Sequence, residues 1–185
     1  MSEEMLIKHC SPTLAGIKTA NIFNCPYEEK QVLWEKLCTL NSKLISKGIR
    51  VIPIGVWQKR ALIYIYRPSM LKQDLANEAA LEILKECGYS CRNADRCVVE
   101  LIHRIQESEA FPHEIGLFLG YPPEDVKGFI EHKGECYKCV GFWKVYGDEN
   151  KAQRCFKNYR KCSQIYYDQW KKGRSFEQLT VAAIH

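Results

Sequence analysis

The chain has 185 residues, of which 46% are hydrophobic and 26% charged; this composition supports a folded core and argues against a disordered protein. No apolar run approaches the roughly 18–20 residues of a membrane span, and the start Met1-Ser-Glu-Glu-Met5 lacks the positive charge and apolar run of a signal peptide. The expected setting is therefore the cytosol, where the ten cysteines stay thiols and several fill core positions as small apolar groups. The net charge of +5 is unevenly spread: Lys127 to Arg174 holds twelve Lys/Arg and five Asp/Glu, which reads first as a solvated basic face and second as a surface for an acidic partner, a nucleotide or nucleic acid.

Residues 5–25 follow no single period. Pro12 disfavours the α region for the residue before it, so His9-Cys10-Ser11 is expected to be extended or in a turn, with a short helix or strand across 14–23. From Pro26 to Lys47, Val32, Leu33, Leu37, Leu40, Leu44 and Ile45 recur at helical spacing and Gly48 ends the run. Arg50–Trp57 and Ala61–Tyr66 are rich in β-branched and aromatic residues and read as a β-hairpin. Pro53 marks its first strand as an edge or a bulge. Ser69 opens a helix through Leu71, Leu75, Ala79, Leu81 and Leu84 to a stop near Gly88. Asn93 or Asp95 caps another, carrying Val98, Leu101, Ile102 and Ile105.

Phe111–Val126 is the densest stretch. It holds a break at Pro112, the pair His113-Glu114, an apolar helical face, a stop at Gly120 and a new helix start at Pro122-Pro123-Glu124-Asp125. Beyond the turn at Lys133-Gly134-Glu135, Val140–Tyr146 reads as a strand. Asp148 then caps a long helix with Ala152, Cys155, Phe156, Tyr159, Cys162, Tyr166 and Trp170 along one stripe, ending at Gly173. The sum is an α+β fold: a small, mostly antiparallel sheet (the hairpin at about 50–66 plus a strand at about 140–146) packed with about six helices. It is read as one domain over 1–185, with a basic amphipathic helix at 148–172.

His9, Cys10, His113 and Glu114 are the candidate catalytic residues. A thiol near a histidine can become a nucleophile, and a carboxylate can hold the imidazole in one tautomer. The structural alternative makes Glu114 and His113 helix-start residues and puts Cys10 in the core. Thr13, Lys18, Arg67, Lys144 and Tyr146 fall at ends or edges of expected elements and are the candidate ligand-binding residues. The lysines suit a phosphate or carboxylate as point charges, Arg67 as a fork. Leu14-Ala-Gly-Ile-Lys18 has one glycine, too few for a phosphate cradle.

Cys136-Tyr-Lys-Cys139 is the candidate metal or redox pair. Zinc needs two more ligands from residues such as His132, Cys155 or Cys162, and the last two stand two helical turns apart. Cys87, Cys91 and Cys97 match no common site. Ile115–Val126 has the look of a helix-turn-helix, but Glu124 and Asp125 would repel phosphates, which argues against sequence-specific DNA binding. The last long helix mixes cations with aromatics, as single-strand binders do. Its aromatics fall on the apolar stripe, however, and Arg154, Lys157, Arg160 and Lys161 on the other faces, as in an amphipathic core helix.

Three segments together, His9-Cys-Ser-Pro-Thr-Leu-Ala-Gly-Ile-Lys18, Phe111–Val126 and Phe142-Trp-Lys-Val-Tyr-Gly-Asp148, resemble a family of small proteins from anaerobic Gram-positive bacteria catalogued as a domain of unknown function. The resemblance covers nearly the whole chain and brings no activity, cofactor or catalytic residue with it. It implies a single bacterial, cytosolic domain in which the three segments come together. The expected function is binding of a small anionic ligand, with or without chemistry on it, in a pocket formed by 9–18, 111–126 and 142–148. The alternatives are an accessory protein that docks an acidic partner through the C-terminal helix, and a thiol redox or metal-binding protein that uses the CxxC.

Overall fold

The computed structural model describes residues 2–90, 93–107 and 110–183; Cys91 lies outside them. Two compact units form, Met1–Ser69 with Tyr159–His185, and Met70–Asn158. The described residues carry nine helices, a three-stranded antiparallel sheet and a separate two-stranded one, an α+β arrangement.

The first unit begins with α1 (Glu3–Leu14), capped by the Ser2 hydroxyl accepting from the Met5 N–H. It runs through Pro12, where an extended segment or turn was expected. Pro12 sits in the last turn, and the helix buries Leu6, Ile7, Cys10 and Leu14. Four such side chains at about 1.5–3 kcal/mol each outweigh an interior proline's roughly 3 kcal/mol. Gly16, at φ +75°, turns the chain into β1 (Ala20–Pro26), so the 14–23 region is a helix end and a strand start. Next, α2 (Lys30–Leu44) buries its leucines and passes through a 3-10 turn to Gly48 at φ +74°.

The hairpin forms as expected from β2 (Arg50–Trp57) and β3 (Arg60–Tyr66), closed by Gln58 and Lys59, both at positive φ, as a tight two-residue turn requires. Strand order is β1-β3-β2, and the register of edge strand β2 shifts between Pro53 and Gly55, the irregularity the proline implied. The third strand is β1, and not the 140–146 segment. Ala61, Ile63 and Ile65 of β3 share one core with the apolar faces of α1 and α2 and with Phe176 and Leu179. Those two belong to α9 (Phe176–Leu179), started by a reciprocal Ser175–Gln178 capping box.

In the second unit, the helix expected from Ser69 to Gly88 is two, α3 (Pro68–Leu75) and α4 (Glu78–Glu86), because Asn77 caps the second by accepting from the Ala79 and Ala80 N–H groups. Asn93 caps α5 (Ala94–Glu107), accepting from Arg96 N–H at 3.1 Å. The short α6 (Ile115–Phe118) and α7 (Pro123–Glu131) make the expected helical hairpin, with Gly120 at φ +73° between them. In place of one strand across 140–146, β4 (Cys139–Val140) and β5 (Lys144–Val145) pair antiparallel around Gly141-Phe142-Trp143. The cause is local: a Cβ at Gly141 would lie 2.3 Å from the Phe156 ring, and Trp143 turns inward. Finally α8 (Glu149–Lys171), capped by Asp148 accepting from Lys151 N–H at 2.9 Å, starts in this unit and ends in the first. Its Ala152, Phe156 and Tyr159 are buried, while Arg154, Lys157, Arg160 and Lys161 are exposed.

Candidate functional site

Asp125 organises the second unit. It lies in the first turn of α7 and is 3% exposed. Its Oδ2 accepts the Trp143 indole N–H at 2.7 Å, and its Oδ1 accepts the backbone N–H groups of Tyr146 and Gly147, each at 2.7 Å. One carboxylate thereby joins α7, β5 and the turn into α8 through short, charge-assisted bonds. Trp143, so fixed, stacks on Tyr121 with ring centroids 4.8 Å apart and meets Phe156 edge-on at 4.6 Å. Gly128 admits the Tyr146 ring, which a Cβ there would meet at 2.4 Å.

The result is a cavity of about 350 Å³ bounded by Phe111, Tyr121, Phe129, Phe142 and Trp143, with His113, Lys144 and the already engaged Asp125 carboxylate as its titratable groups. The Lys144 ammonium donates to the Gly134 carbonyl at 2.7 Å and stands 4.8 Å from the Tyr137 ring centroid and 5.8 Å from that of Phe129. His113 is exposed and meets the Phe129 ring at 5.0 Å, edge to face. Phe111, Val140 and Phe142 line the cavity and are also exposed, so its mouth is an apolar patch of the sort that marks a binding site.

Glu114 faces elsewhere. Buried to 6% exposure, it accepts from the Tyr89 hydroxyl at 3.2 Å and lies 4.0 Å from Arg104. The Arg104 guanidinium covers the Tyr89 ring at 4.3 Å and bonds Glu100 at 2.9 Å. Glu114 and Arg104, with Cys87 and His113, border a second cavity of about 300 Å³. Burial, reinforced by the Glu114 charge, pushes both the Cys87 thiol and the Tyr89 phenol up, which keeps that thiol protonated and weakly nucleophilic.

The 111–126 and 142–148 segments thus line one cavity, while the 9–18 segment belongs to the first unit. There the polar candidates hold the fold. Cys10 is wholly buried in the core and burial pushes its thiol up, the opposite of what a nucleophile needs. His9 is exposed and stacks on Phe23 at 5.8 Å, its pKa lowered by partial burial and then by the Lys8 charge. The Thr13 hydroxyl donates to the Asn21 side-chain oxygen at 2.7 Å, and the buried Lys18 ammonium donates to the Ala20 carbonyl. Arg67, 3% exposed, sends Nε to the Thr13 carbonyl at 2.7 Å and Nη2 to those of Leu14 and Val181 at 2.9 and 2.6 Å. This fork satisfies carbonyls at the C-terminus of α1, where a cation also suits the dipole; Arg67 is a clamp and not a ligand-facing charge.

Cys136 is exposed, and the half-buried Cys139 sulfur accepts from the Gln153 amide at 3.4 Å. Among the described residues no three His, Cys, Asp or Glu side chains group closely enough to hold a metal ion. No helix among the described residues is long and apolar enough to cross a membrane.

Asp125, Trp143 and Tyr121 escaped the sequence reading as site residues. Asp125 reads as an ordinary first-turn acid, and its burial depends on Trp143, eighteen residues on. The one available signal was the pairing of a flexible Gly141 with Phe142-Trp143, too rich in aromatics for a plain strand.

Residues 6–180 match the family described as Protein of unknown function (DUF3793), and the chain belongs to it. Comparisons with curated proteins and with solved structures find no match.

Proposed function

We propose that this member of the DUF3793 family binds a small organic anion with a flat apolar body in the cavity of its second unit. The observation that carries this reading is the aromatic wall of Tyr121, Phe129, Phe142 and Trp143 with Lys144 held beside it. Flat rings favour a flat ligand by offset stacking, few polar groups then fix its orientation, and Lys144 supplies a point charge for a carboxylate, sulfonate or phosphate. His113 adds a donor.

The test uses two fluorescent probes of similar shape, 8-anilinonaphthalene-1-sulfonate and the uncharged N-phenyl-1-naphthylamine. Lys144→Met is expected to weaken the sulfonate probe about tenfold, or about 1.4 kcal/mol, and to leave the neutral probe unchanged. Phe142→Ser should weaken both. Equal effects of Lys144→Met on the two probes, or none, would overturn the reading.

A second reading gives the exposed cations Arg154, Lys157, Arg160 and Lys161 of α8 an acidic protein as partner. Binding of a polyglutamate peptide that fades as salt rises would support it, since exposed charges are screened within about 8 Å at physiological ionic strength.

A further inference from the structure

Lys144 is held in place by the loop that bears the two cysteines. The chain leaves α7 with Lys133 and Gly134 at φ +51° and +81°, bends at Cys136 (φ +57°) and again at Lys138, and enters β4 at Cys139. Fully extended, residues i and i+3 stand about 10 Å apart, whereas a disulfide needs Cα atoms within about 4.4–6.8 Å. Two bends within the four residues shorten the span toward that range. The sulfurs also differ. Cys136 is exposed to an incoming oxidant, while Cys139 is half-buried, with the Gln153 amide 3.4 Å from its sulfur; partial burial, with the Glu149 charge, pushes the Cys139 thiol up, so Cys136 attacks first. Between the two cysteines lies Tyr137, whose ring covers the Lys144 ammonium, and just ahead of them lies Gly134, whose carbonyl accepts from it.

We propose that Cys136 and Cys139 are a reversible thiol-modification site, closing to a disulfide that displaces Tyr137 from Lys144 and weakens the anion cavity. The effect on the cavity rests on the ligand-binding reading above; the modification itself does not. The oxidant is a low-molecular-weight disulfide. The Cys136 thiolate attacks one of its sulfurs and expels a thiolate, leaving a mixed disulfide on Cys136. Cys139 gives its proton to water, and its sulfur attacks the Cys136 sulfur, expelling the second small thiolate. Two protein thiols become one disulfide, the oxidant becomes two thiols, and those thiols carry the two protons. The closed ring contains the Tyr137 backbone, so closure is expected to shift the Tyr137 ring against Lys144, whose other bond is to the Gly134 carbonyl outside the ring. A charge no longer held in place binds an anion less well.

The whole chain is equilibrated in buffers of graded reduced-to-oxidised glutathione, quenched in acid, alkylated and mapped by peptide mass. Cys136 and Cys139 are expected to escape alkylation together, in a peptide two hydrogens lighter, and to recover with dithiothreitol. Cys38, exposed and solitary in its stretch of sequence, yields at most a glutathione adduct. The Lys144 side-chain NMR signals, shifted by the Tyr137 ring, should move on oxidation, and the affinity of the sulfonate probe should fall about threefold or more. Cys136→Ser should abolish both changes. Persistent alkylation of both cysteines, or a glutathione adduct on Cys136 that never resolves, overturns the site. A disulfide that leaves the Lys144 signals in place overturns the coupling, whether or not the probe binds. A probe that is indifferent to Lys144 removes the ligand reading alone, because the mapping and the NMR readout need no ligand.

Discussion

The Asp125 carboxylate offers the sharpest energetic test, because one side chain serves three donors. A hydrogen bond to a charged group contributes about 1.5–3 kcal/mol net, and burying the charge offsets part of the sum. Asp125→Ala is therefore expected to lose about 3–5 kcal/mol, a large share of the roughly 5–15 kcal/mol that holds a domain folded. Asp125→Asn keeps an oxygen for the Tyr146 and Gly147 N–H groups but turns an amino group toward the indole N–H. Two donors facing one another without water should cost about 2–3 kcal/mol. Trp143→Phe removes the opposing donor, so the Asn and Phe changes together should be less damaging than their separate losses added, with a coupling of about 1–2 kcal/mol. Urea unfolding at neutral pH, followed by far-ultraviolet circular dichroism, supplies all four corners of the cycle. An Asp125→Asn protein within about 0.5 kcal/mol of the parent, or a coupling smaller than that, would refute the view that this carboxylate holds the cavity wall.

The other expectations are simpler to read. Arg67→Met should lose about 2–4 kcal/mol by leaving buried carbonyls without donors, and Arg67→Lys should not restore it, since an ammonium lacks the fork; unchanged thermal midpoints would return Arg67 to the ligand candidates. The Lys151 backbone N–H holds the Asp148 carboxyl below its ordinary value, so this cap stabilises the fold fully above the unfolded pKa and loses its effect as pH falls through the lower, folded one. Asp148→Ala should therefore lower the thermal midpoint near neutral pH, and the gap to the parent should close in acid; a gap independent of pH would sink the assignment. Timed alkylation of native protein, read by peptide mass, should label exposed Cys38 and Cys136 early and buried Cys10 only on unfolding, whereas early labelling of Cys10 would contradict its burial.

The hairpin, the long amphipathic helices and their glycine stops were legible because each is written in a local period or a local backbone demand. Gly48, Gly120 and Gly173, all at positive φ, end helical segments where expected. What escaped was decided by partners distant in sequence. The preference against helix at Pro12 was overridden by the burial of Leu6, Ile7, Cys10 and Leu14, which no window around the proline reveals. β1 was obscured because its half-buried edge alternates weakly, and only its antiparallel register on β3 makes it a strand. Arg67 looked like an anion's partner because the sequence cannot show that its donors meet carbonyls of α1 and of Val181. Of the residues singled out from the sequence, His113 and Lys144 lie on the cavity, while the aromatic wall between them was not legible there.

The density of instructions in Phe111–Val126 has a physical reason that a count of helix stops misses. The described residues that line the larger cavity lie between Phe111 and Lys144, so a short length of chain must reverse repeatedly to enclose it. Pro112 precedes the single turn of α6, Gly120 reverses out of it, Pro122 and Pro123 start α7, and Gly141 permits the second reversal around Trp143. At Gly116 a Cβ would strike Val126 at 2.7 Å, so the two short helices can close on each other only with glycine there. Each device serves the backbone, and together they expose one face each of Phe111, His113, Phe142 and Lys144. The His113-Glu114 pair then divides its labour by geometry. Adjacent residues at a helix start point to different sides, so Glu114 is committed to Tyr89 and Arg104 while His113 is left at the border of both cavities. A histidine so placed, with its neighbouring carboxylate engaged elsewhere, is available as the donor that the proposed ligand site needs.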